Sequence, residues 1–272
     1  RKIFWFLIVF LFFCVLPAVS QQQGAAYIIY AEGQSFELVR NSQDLSYDLL
    51  YDNVIGLELY DGDYVNTDSG TFLEVQLRGS RNVLKISENS SFSISTVSET
   101  GGGLFKLTYG RLRAKVEKLF EKDRLTVRGP SVVAGVRGTD FGCDIIAESG
   151  ESPGEKELIA RVYCFDGEVE VQKLEPVEKG RWEKPEKEPE QEVTETLIIG
   201  SNEMASLSID KPAQPVKKSQ IKPSINEYWK SNDFKGDIVD PQRLRELSQV
   251  STEKAQGPGT PGTQEAKPEE GE

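Results

Sequence analysis

Apolar and polar residues alternate in many short stretches between residues 25 and 210 of the chain. In one of them Leu73, Val75 and Leu77 share a face, with polar residues opposite. A period of two is typical of a β-strand with one buried face. Similar stretches, separated by Gly, Asn, Asp and Ser clusters, cover residues 25–31, 35–39, 57–60, 83–86, 92–94, 104–109, 112–116, 125–127, 158–164 and 196–209. They predict an all-β fold of short antiparallel strands, arranged as a sandwich or a solenoid-like roll.

The segments between and after these strands differ in composition. Residues 40–56 are polar and irregular, and we expect a surface loop there. Residues 174–195 are rich in Glu, Lys and Pro and predict a charged insertion, because they cannot bury enough surface to fold alone. The predicted β domain therefore covers residues 25–210. Residues 211–272 are expected to form an acidic low-complexity tail that is mostly disordered apart from short helices.

One of these short helices is predicted around Tyr228 and Trp229. Together with Ile225, these two residues fall on one helical face, which is the arrangement of a helix that packs on one side. A second helix is predicted over residues 242–250, where Asp240 and Pro241 supply a cap and a first turn. We interpret Tyr228 and Trp229 as a candidate docking segment, which would pack either on the β domain or on a partner.

A glycine-rich stretch, residues 129–145, organises the middle of the chain. Pro130 suits a turn that enters a strand, because it fixes φ and lacks a backbone donor. Gly135 and Gly138 bracket Val136 and Arg137, which predicts a bulge or a tight bend. From residue 139 the alternation resumes and predicts a strand with one buried side. Its inward positions are Thr139, Phe141, Cys143 and Ile145, and its outward positions are Asp140, Gly142 and Asp144.

Two cysteines lie on the two strands of a predicted hairpin. Residues 148–154 carry a loop signal and residues 158–164 form the return strand. This arrangement places Cys143 and Cys164 nearly opposite one another on the inward faces. They are either a disulfide, as an oxidising compartment favours, or two buried thiols that act as small apolar side chains.

The first twenty residues have the pattern of a secretory signal peptide, with a basic pair, an apolar run over residues 3–16 and small residues at Ala18 and Ser20. We expect cleavage after Ser20, which leaves no transmembrane segment in the mature chain. The alternatives are an uncleaved membrane anchor and lipidation at Cys14. Because the chain begins with arginine rather than methionine, we also expect further sequence upstream.

Charge and composition narrow the classes of function. The net charge is −12 and the pI is about 4.8, which argues against a nucleic-acid partner and against adsorption to anionic membrane. The chain has no histidine, so Ser-His-Asp and Cys-His arrangements and histidine-bearing zinc sites are impossible within it. No phosphate-binding glycine loop occurs. We therefore predict no catalytic residues, no metal and no cofactor.

Two places remain as candidate ligand sites. Gly62 and Asp63 lie in an acidic turn with oxygen donors at residues 61, 63, 66 and 68, which could suit calcium. However, Val65 occupies a ligand position, and a plain turn is the alternative because Asp, Gly and Asn are ordinary turn formers. Arg137 could bind a carboxylate ligand, or it could tie the strand to backbone carbonyls or to a nearby aspartate.

Four motifs give the chain a resemblance to a known family. Residues 130–141 read P-x-V-V-A-G-V-R-G-T-D-F, residues 62–67 read G-D-Y-V-N-T, residues 110–116 read G-R-L-R-A-K-V and residues 165–171 read F-D-G-E-V-E-V. In this order they resemble FecR-type domains. The resemblance implies a solenoid-like roll in the periplasm or cell envelope that recognises a protein or cell-wall partner. The residues of its central motif are Gly135, Val136, Arg137, Gly138, Thr139 and Phe141, and those of its turn are Gly62 and Asp63.

Three functions follow from these observations. The first is an exported, non-catalytic FecR-like module that works by binding. The second is the periplasmic part of a transmembrane anti-sigma regulator of iron-uptake signalling whose N-terminus is missing, and a helical cytosolic domain upstream would favour it. The third is an envelope carbohydrate-active enzyme on a β-fold, which would require a paired carboxylate in a cleft.

Overall fold

The structure is a computed structural model and describes residues 24–97, 102–117, 124–150, 154–176, 191–240 and 243. The predicted leader, residues 1–20 with Cys14, lies outside the described residues, and so does most of the second predicted helix, residues 242–250. The described elements are β1 (Ala26–Glu32), β2 (Ser35–Arg40), β3 (Gln43–Asp48), β4 (Glu58–Leu59), β5 (Tyr64–Thr67), β6 (Phe72–Leu77), β7 (Val83–Ile86), β8 (Ser91–Val97), β9 (Gly103–Lys115), β10 (Leu125–Arg128), β11 (Val132–Val136), β12 (Asp140–Ser149), β13 (Lys156–Asp166), β14 (Glu168–Pro176), β15 (Gln191–Gly200), β16 (Glu203–Ser208), β17 (Lys217–Gln220) and the helix α1 (Pro223–Ser231). Within these ranges, no helix has the length and apolar character that crossing a membrane requires.

The strands form two layers that share the long strand β9. Layer A has the order β4-β1-β6-β7-β9-β12-β13-β16-β17. Layer B has the order β3-β2-β5-β8-β9-β10-β11-β14-β15. Among these pairs β9–β10 is parallel and the others are antiparallel. After β9 the chain alternates between layers by hairpins, since β10–β11 lie in layer B, β12–β13 in layer A, β14–β15 in layer B and β16–β17 in layer A.

Strand β9 passes from layer B to layer A at a glycine. Its first half pairs with β8 and β10, and its second half pairs with β7 and β12. Gly110 has a φ of +99°, and a Cβ atom there would lie 2.2 Å from the Oγ of Ser90. Ser90 uses that oxygen to accept the N–H of Arg111 at 3.0 Å. The crossing therefore needs a residue without a side chain, for conformational and steric reasons.

One core lies between the two layers. Inward side chains of layer A, such as Val75 and Leu112, belong to the same buried cluster as Phe105 and Ala134 of layer B. Because side chains of a strand alternate between its faces, the inward positions predicted from the period of two are the positions that form this core. The prediction of an all-β fold built mainly from short antiparallel strands is confirmed.

The structure differs from the sequence prediction in residues 40–56. Residues 43–48 form β3, which pairs with β2 along its whole length, so the prediction of a loop was wrong there. Tyr47 stacks on Phe36 with ring centroids 4.9 Å apart, and Leu45 lies opposite Leu38. The inward side chains of Leu45 and Tyr47 allow this segment to form a strand, although its other side chains are polar.

The predicted insertion is shorter in the structure. Strand β14 extends to Pro176 and β15 begins at Gln191, and these two residues are register partners. Both ends of the 174–195 segment are therefore part of a hairpin, and residues 177–190 lie outside the described residues. Half of the side chains of β15 are exposed, which explains why a charged composition is compatible with this strand.

The residues assigned to the tail also differ from the prediction in part. Residues 217–220 form β17 at the edge of layer A, and α1 packs on the layer after it, with Ile225 and Trp229 buried. Residues beyond 240, except 243, lie outside the described residues. The sequence pattern predicted less packing of residues 217–231 on layer A than the structure shows, because few apolar side chains make these contacts.

Candidate functional site

A row of side chains crosses the outer face of layer A, opposite the core. Strand register aligns one residue from each of seven neighbouring strands, and we call this set the cross-strand row. Its members are Tyr30, Glu74, Lys85, Arg113, Gly142, Tyr163 and Met204. Outward polar side chains normally meet water, yet Glu74, Lys85 and Tyr163 are 0% exposed. Another part of the chain covers them.

The cover is the segment Ile221–Asp240, which we call the strap. It begins with α1, where Pro223 occupies the first turn and suits a helix start. Ile225 and Trp229, four residues apart, face the sheet and form a small cluster with Tyr163 and Met204. Asn232 ends the helix, and its side-chain amide donates to the carbonyl of Tyr228 at 2.9 Å. The strap then continues without regular structure over the other half of the row.

A buried hydrogen-bond chain holds α1. The Nε1 of Trp229 donates to the hydroxyl of Tyr163 at 2.5 Å, and that hydroxyl donates to Oδ1 of Asp144 at 2.7 Å. Burial raises the pKa of Asp144 to about 6, although the charge of Arg111 and the hydrogen bond from Tyr163 oppose this. The sequence pattern placed Asp144 on the outward face of β12, but α1 makes that face interior, so both faces are buried here.

The ring of Tyr163 lies directly over Gly142. A Cβ atom at position 142 would be 2.1 Å from Cε2 of Tyr163 and 2.5 Å from Cζ. No real Cβ approaches a ring carbon so closely, so glycine is required here by space. Gly142 is thus a structural part of the site and directs Tyr163 toward Asp144 and Trp229.

Tyr228 packs at the rim of the same face. Its hydroxyl forms a hydrogen bond with the Oγ of Ser87, and the guanidinium of Arg111 lies 4.2 Å from its ring centroid. A cation over an aromatic face is attracted by the ring quadrupole. Tyr228 and Trp229 therefore hold α1 on layer A through two separate sets of contacts.

The second half of the strap is held by its main chain. Glu74 accepts hydrogen bonds from the N–H groups of Lys235 and Gly236, each at 2.8 Å. Gln76 accepts from the N–H of Val239 at 2.9 Å and donates to the carbonyl of the same residue at 2.8 Å. These contacts do not depend on strap side chains, so they recognise an extended polypeptide backbone as such.

Lys85 connects this backbone to the sheet. Its Nζ lies 3.0 Å from Oε1 of Glu74, with both side chains 0% exposed, and donates to the carbonyl of Asp233 at 2.8 Å. Buried charges are tolerated when they are paired and hydrogen-bonded. Here the pair meets that condition, because strap backbone groups complete the bonds that the two side chains leave open.

Further contacts come from Asp233, Phe234, Lys235 and Gly236 of the strap. The carboxylate of Asp233 lies 3.2 Å from Arg113 and 3.3 Å from Lys115. The ring of Phe234 lies 4.5 Å from the Nζ of Lys115. Gly236 packs so closely that a Cβ there would lie 2.9 Å from both the Oε2 of Glu74 and the Cβ of Tyr30. The Nζ of Lys235 lies 2.5 Å from Oε2 of Glu32. The surface therefore accepts an acidic residue, an aromatic one, a basic one and a glycine, in this order.

The predicted FecR motif forms a corner rather than this face. Val136 ends β11 in layer B, Gly138 turns with a φ of +92°, and β12 begins at Asp140 in layer A. The motif is therefore where the chain changes layers, and the predicted bend lies at this corner. Its positions divide into Val136, Thr139 and Phe141, which are buried, Arg137, which is exposed, and Gly135 and Gly138, which are intermediate.

The corner borders a groove of about 300 Å³. Arg137 lines it together with Arg124, Glu168 and Glu170. The hydroxyl of Thr139 donates to the carbonyl of Glu168 at 3.1 Å, which ties the corner to β14. Arg137 thus lies at the surface of a mixed-charge groove, away from the cross-strand row.

The turn at Gly62 and Asp63 is closed by an ion pair. Gly62 has a φ of +93°. Asp63 is 2% exposed, lies 2.6 Å from the Nη2 of Arg40 and accepts the N–H of Tyr60 at 2.8 Å. Because its carboxylate is engaged by these donors, the geometry supports the plain turn over calcium. Within the described ranges, no group of three or more His, Cys, Asp or Glu could hold a metal ion.

The two cysteines are free and buried. Register explains why they do not face one another: Cys143 lies opposite Val162, whereas Cys164 lies opposite Phe141. The expectation that they would lie nearly opposite was wrong by two residues. The structure thus has the two buried thiols and not the disulfide.

The structure places the candidate docking segment on the β domain, where Tyr228 contacts Ser87 and Arg111 and Trp229 donates to Tyr163. The face beneath the whole strap also contains residues that sequence reasoning did not select. These are Glu74, Gln76, Lys85, Asp144 and Tyr163. Their positions in alternating strands are typical of a solvated face, so the pattern gave no signal for them. The one available signal was charge at the centre of strongly apolar strands, as in β6 and β7.

Part of the chain is similar to a known protein family. The family model described as FecR protein matches residues 63–170, which run from the turn before β5 into β14. A comparison with curated proteins found no match. The matched range contains Glu74, Lys85, Arg113, Gly142 and Tyr163 of the cross-strand row, whereas the strap lies outside it. The match to the FecR family model over residues 63–170 agrees with the resemblance seen in the sequence.

Solved structures give a weaker likeness. Two crystal structures of a "putative anti-sigma factor" from Parabacteroides distasonis ATCC 8503, at 1.65 and 2.50 Å resolution, are each 16% identical to this chain. Their TM-scores are 0.41 and 0.42, and each alignment covers 61% of this chain. This chain spans 63% of the length of that protein.

Proposed function

We propose that this chain is a non-catalytic FecR-type interaction module that binds a protein or cell-wall partner in the periplasm or cell envelope. One observation carries the proposal: buried side chains on the outer face of layer A bind a polypeptide backbone. Glu74, Gln76 and Lys85 make five hydrogen bonds to main-chain groups of the strap. A face that binds backbone in this way has the chemistry of a recognition surface.

The arrangement of ionisable groups supports binding over catalysis. Asp144, whose pKa is raised, is 1% exposed and is enclosed by Tyr163, Arg111 and α1. Glu74 is 0% exposed, and both its oxygens accept hydrogen bonds. A general acid or base must reach a proton of its substrate, whereas these carboxylates hold elements of the fold together. The FecR-type domain further supports a regulatory role.

The location rests on the sequence of the leader. A basic pair, an apolar run and a small-residue site within residues 1–20 are typical of export. The acidic charge of −12 is compatible with a partner that offers basic or neutral surface. Export and partner binding are therefore the two parts of the proposal that can be measured in cells.

A chromosomally tagged protein tests both parts. Cell fractionation should recover it in the periplasmic or envelope fraction. A photo-crosslinking residue at Glu227, which is exposed on α1, should capture one defined partner, whereas the same residue at the exposed Tyr109, in the layer B part of β9, should not. Recovery in the cytoplasm, or release of sugars from cell-wall polymer by the purified chain, would contradict the proposal.

A further inference from the structure

The strap consists of two parts that are held very differently. Its first part, α1, buries Trp229 to 1% exposure and Ile225 to 6%. Its second part, Asn232–Asp240, which we call the arm, has no fully buried side chain, and Asp233 and Ile238 are exposed. Segments with few buried apolar contacts open at low free energy, independently of the rest of a domain. The arm can therefore leave the sheet while α1 stays anchored.

The surface beneath the arm tolerates its departure. Lys85 and Glu74 are 3.0 Å apart, so they remain paired when the arm is absent. Arg113 is also held by Asp140, through hydrogen bonds of 2.8 Å from Nε and Nη2. An empty surface would thus expose paired charges and Gln76 to water, and no charge would be left buried without a partner.

We propose that this surface is a binding site for an extended segment of a partner protein, and that the arm is an internal competitor for it. The inference deepens the proposed function by naming the partner as polypeptide rather than cell-wall polymer. The segment it accepts has the chemistry of Asp233-Phe234-Lys235-Gly236. An acidic residue meets Arg113 and Lys115, and an aromatic ring lies on Lys115. A basic residue pairs with Glu32, and a glycine passes over Tyr30.

Backbone recognition makes the exchange of one segment for another feasible. Gln76 binds both main-chain polar groups of one residue, Val239, and Glu74 binds two consecutive N–H groups. A partner segment of the same shape would make the same bonds. The arm then competes with the partner, because the apparent affinity for the partner equals the intrinsic affinity multiplied by the fraction of molecules whose arm is open.

A labelled synthetic peptide with the sequence of residues 231–240 tests the proposal on the full chain. In the chain variant Gly236→Val the arm should be displaced, because the new side chain meets Glu74 and Tyr30. We expect this variant to bind the peptide at least about tenfold more tightly than the wild-type chain. The control Ile238→Val alters an exposed position and should bind like wild type. Adding Gln76→Ala to Gly236→Val should abolish the gain, and so should Gly236→Val in the peptide itself.

Two results would overturn the proposal. The first is a folded Gly236→Val chain, with an unchanged circular dichroism spectrum, that binds the peptide no better than wild type. The second applies even if that variant does not fold: in the wild-type chain the amides of Lys235, Gly236 and Val239 should exchange at least about tenfold faster than those of β12 and β13. Equal rates would mean that the arm opens only when the domain unfolds. By contrast, if the crosslinking experiment in cells captured no envelope partner, that result would refute the proposed function and not this inference.

Discussion

Glycine at position 142 leaves room for the ring of Tyr163, and the position of that ring sets the site of α1. Replacing Gly142 with alanine puts a methyl group 2.1 Å from Cε2 of Tyr163. Tyr163 is fully buried and cannot swing away, so we expect a loss of about 1–3 kcal/mol in the free energy of unfolding. Urea denaturation measures this loss. In a Trp5→Phe, Trp182→Phe background, Trp229 fluorescence should also shift toward that of exposed tryptophan.

Gly135 provides the matched control within a strand. A Cβ at position 135 would meet nothing within 4 Å, and its φ lies outside the left-handed region. Gly135→Ala should therefore be neutral, or stabilise by up to about 1 kcal/mol through the unfolded state. Equal losses for the two variants would show that steric conflict with Tyr163 is not the reason for glycine at position 142.

Asp144 makes the stability of the fold depend on pH. Burial raises its pKa from 3.8 to about 6, so folding favours the protonated form. The stability that this group contributes is full below about pH 4 and is lost as the pH rises through about 6, by about 3 kcal/mol. We expect Asp144→Asn to remove this loss, since the amide oxygen still accepts the hydrogen bond from Tyr163. Urea denaturation of both proteins across pH 4–8 measures the difference.

The difference between the two proteins is the informative quantity. Glu148, which pairs with Arg161 beside Asp144, has a lowered pKa, mainly through its hydrogen bond from Arg161, and gains stability as pH rises. Arg111 and Tyr163 also face Asp144. Effects of these groups are present in both proteins and cancel in the subtraction. A difference that stays constant from pH 4 to pH 8 would contradict the predicted titration.

At the scale of elements, the sequence predicts strands better than it predicts their surroundings. In β6 the period of two assigned Leu73, Val75 and Leu77 to the core, and all three are 0% exposed. It assigned Glu74 and Gln76 to a polar face, which is correct for direction, yet they too are 0% exposed. Alternation reports which side a residue points to, but it carries no information about a segment 161 to 163 residues away that covers that side.

The docking helix α1 shows the same limit of sequence patterns, because they predicted the helix but not the surface on which it packs. The spacing of Ile225, Tyr228 and Trp229 predicted a one-sided helix, because i, i+3 and i+4 positions share a face. The surface on which it packs needs Gly142, Tyr163 and Met204 to lie side by side. That alignment depends on the registers of β12, β13 and β16, which loops and bulges determine and which local patterns do not contain.

The register of the β12–β13 hairpin decides the state of the cysteines. Because Cys143 lies opposite Val162 and Cys164 opposite Phe141, the two thiols do not pair in the fold. Burial raises both pKa values, that of Cys164 to about 12, and only the thiolate reacts readily. In a Cys14→Ser background, we expect no reaction with a thiol reagent in the native state and two thiols per chain after unfolding without reductant, as counted by mass spectrometry.

Single variants identify which thiol reacts if one does. Cys143→Ala and Cys164→Ala should each release one thiol on unfolding. A native protein that releases none on unfolding without reductant, and two after reduction, would demonstrate the disulfide and would require a register different from the one described.

At the scale of the whole molecule, we expect the two layers and α1 to unfold together, whereas the arm can detach from layer A. The range that the FecR family model matches, residues 63–170, lacks β1, β16 and the strap, each of which contributes to the outer face of layer A. The cross-strand row is complete only when these outlying segments are present. We therefore expect the segment 221–240 to contribute strongly to stability, unlike an ordinary tail.

Chains that end at residue 220 or at residue 240 test this expectation directly. The shorter chain loses Ile221, Ile225 and Trp229, which are buried, and at about 1.5–3 kcal/mol for each buried side chain the loss should be roughly 5 kcal/mol or more. It also exposes Tyr163 and the pair of Glu74 and Lys85 to water. The longer chain keeps every described contact of the strap, so we expect its unfolding free energy to equal that of the full chain within about 0.5 kcal/mol. Urea denaturation of the three chains should separate the shorter one from the other two, whereas a chain ending at residue 220 that matched the full chain would show that the strap rests on layer A without stabilising it.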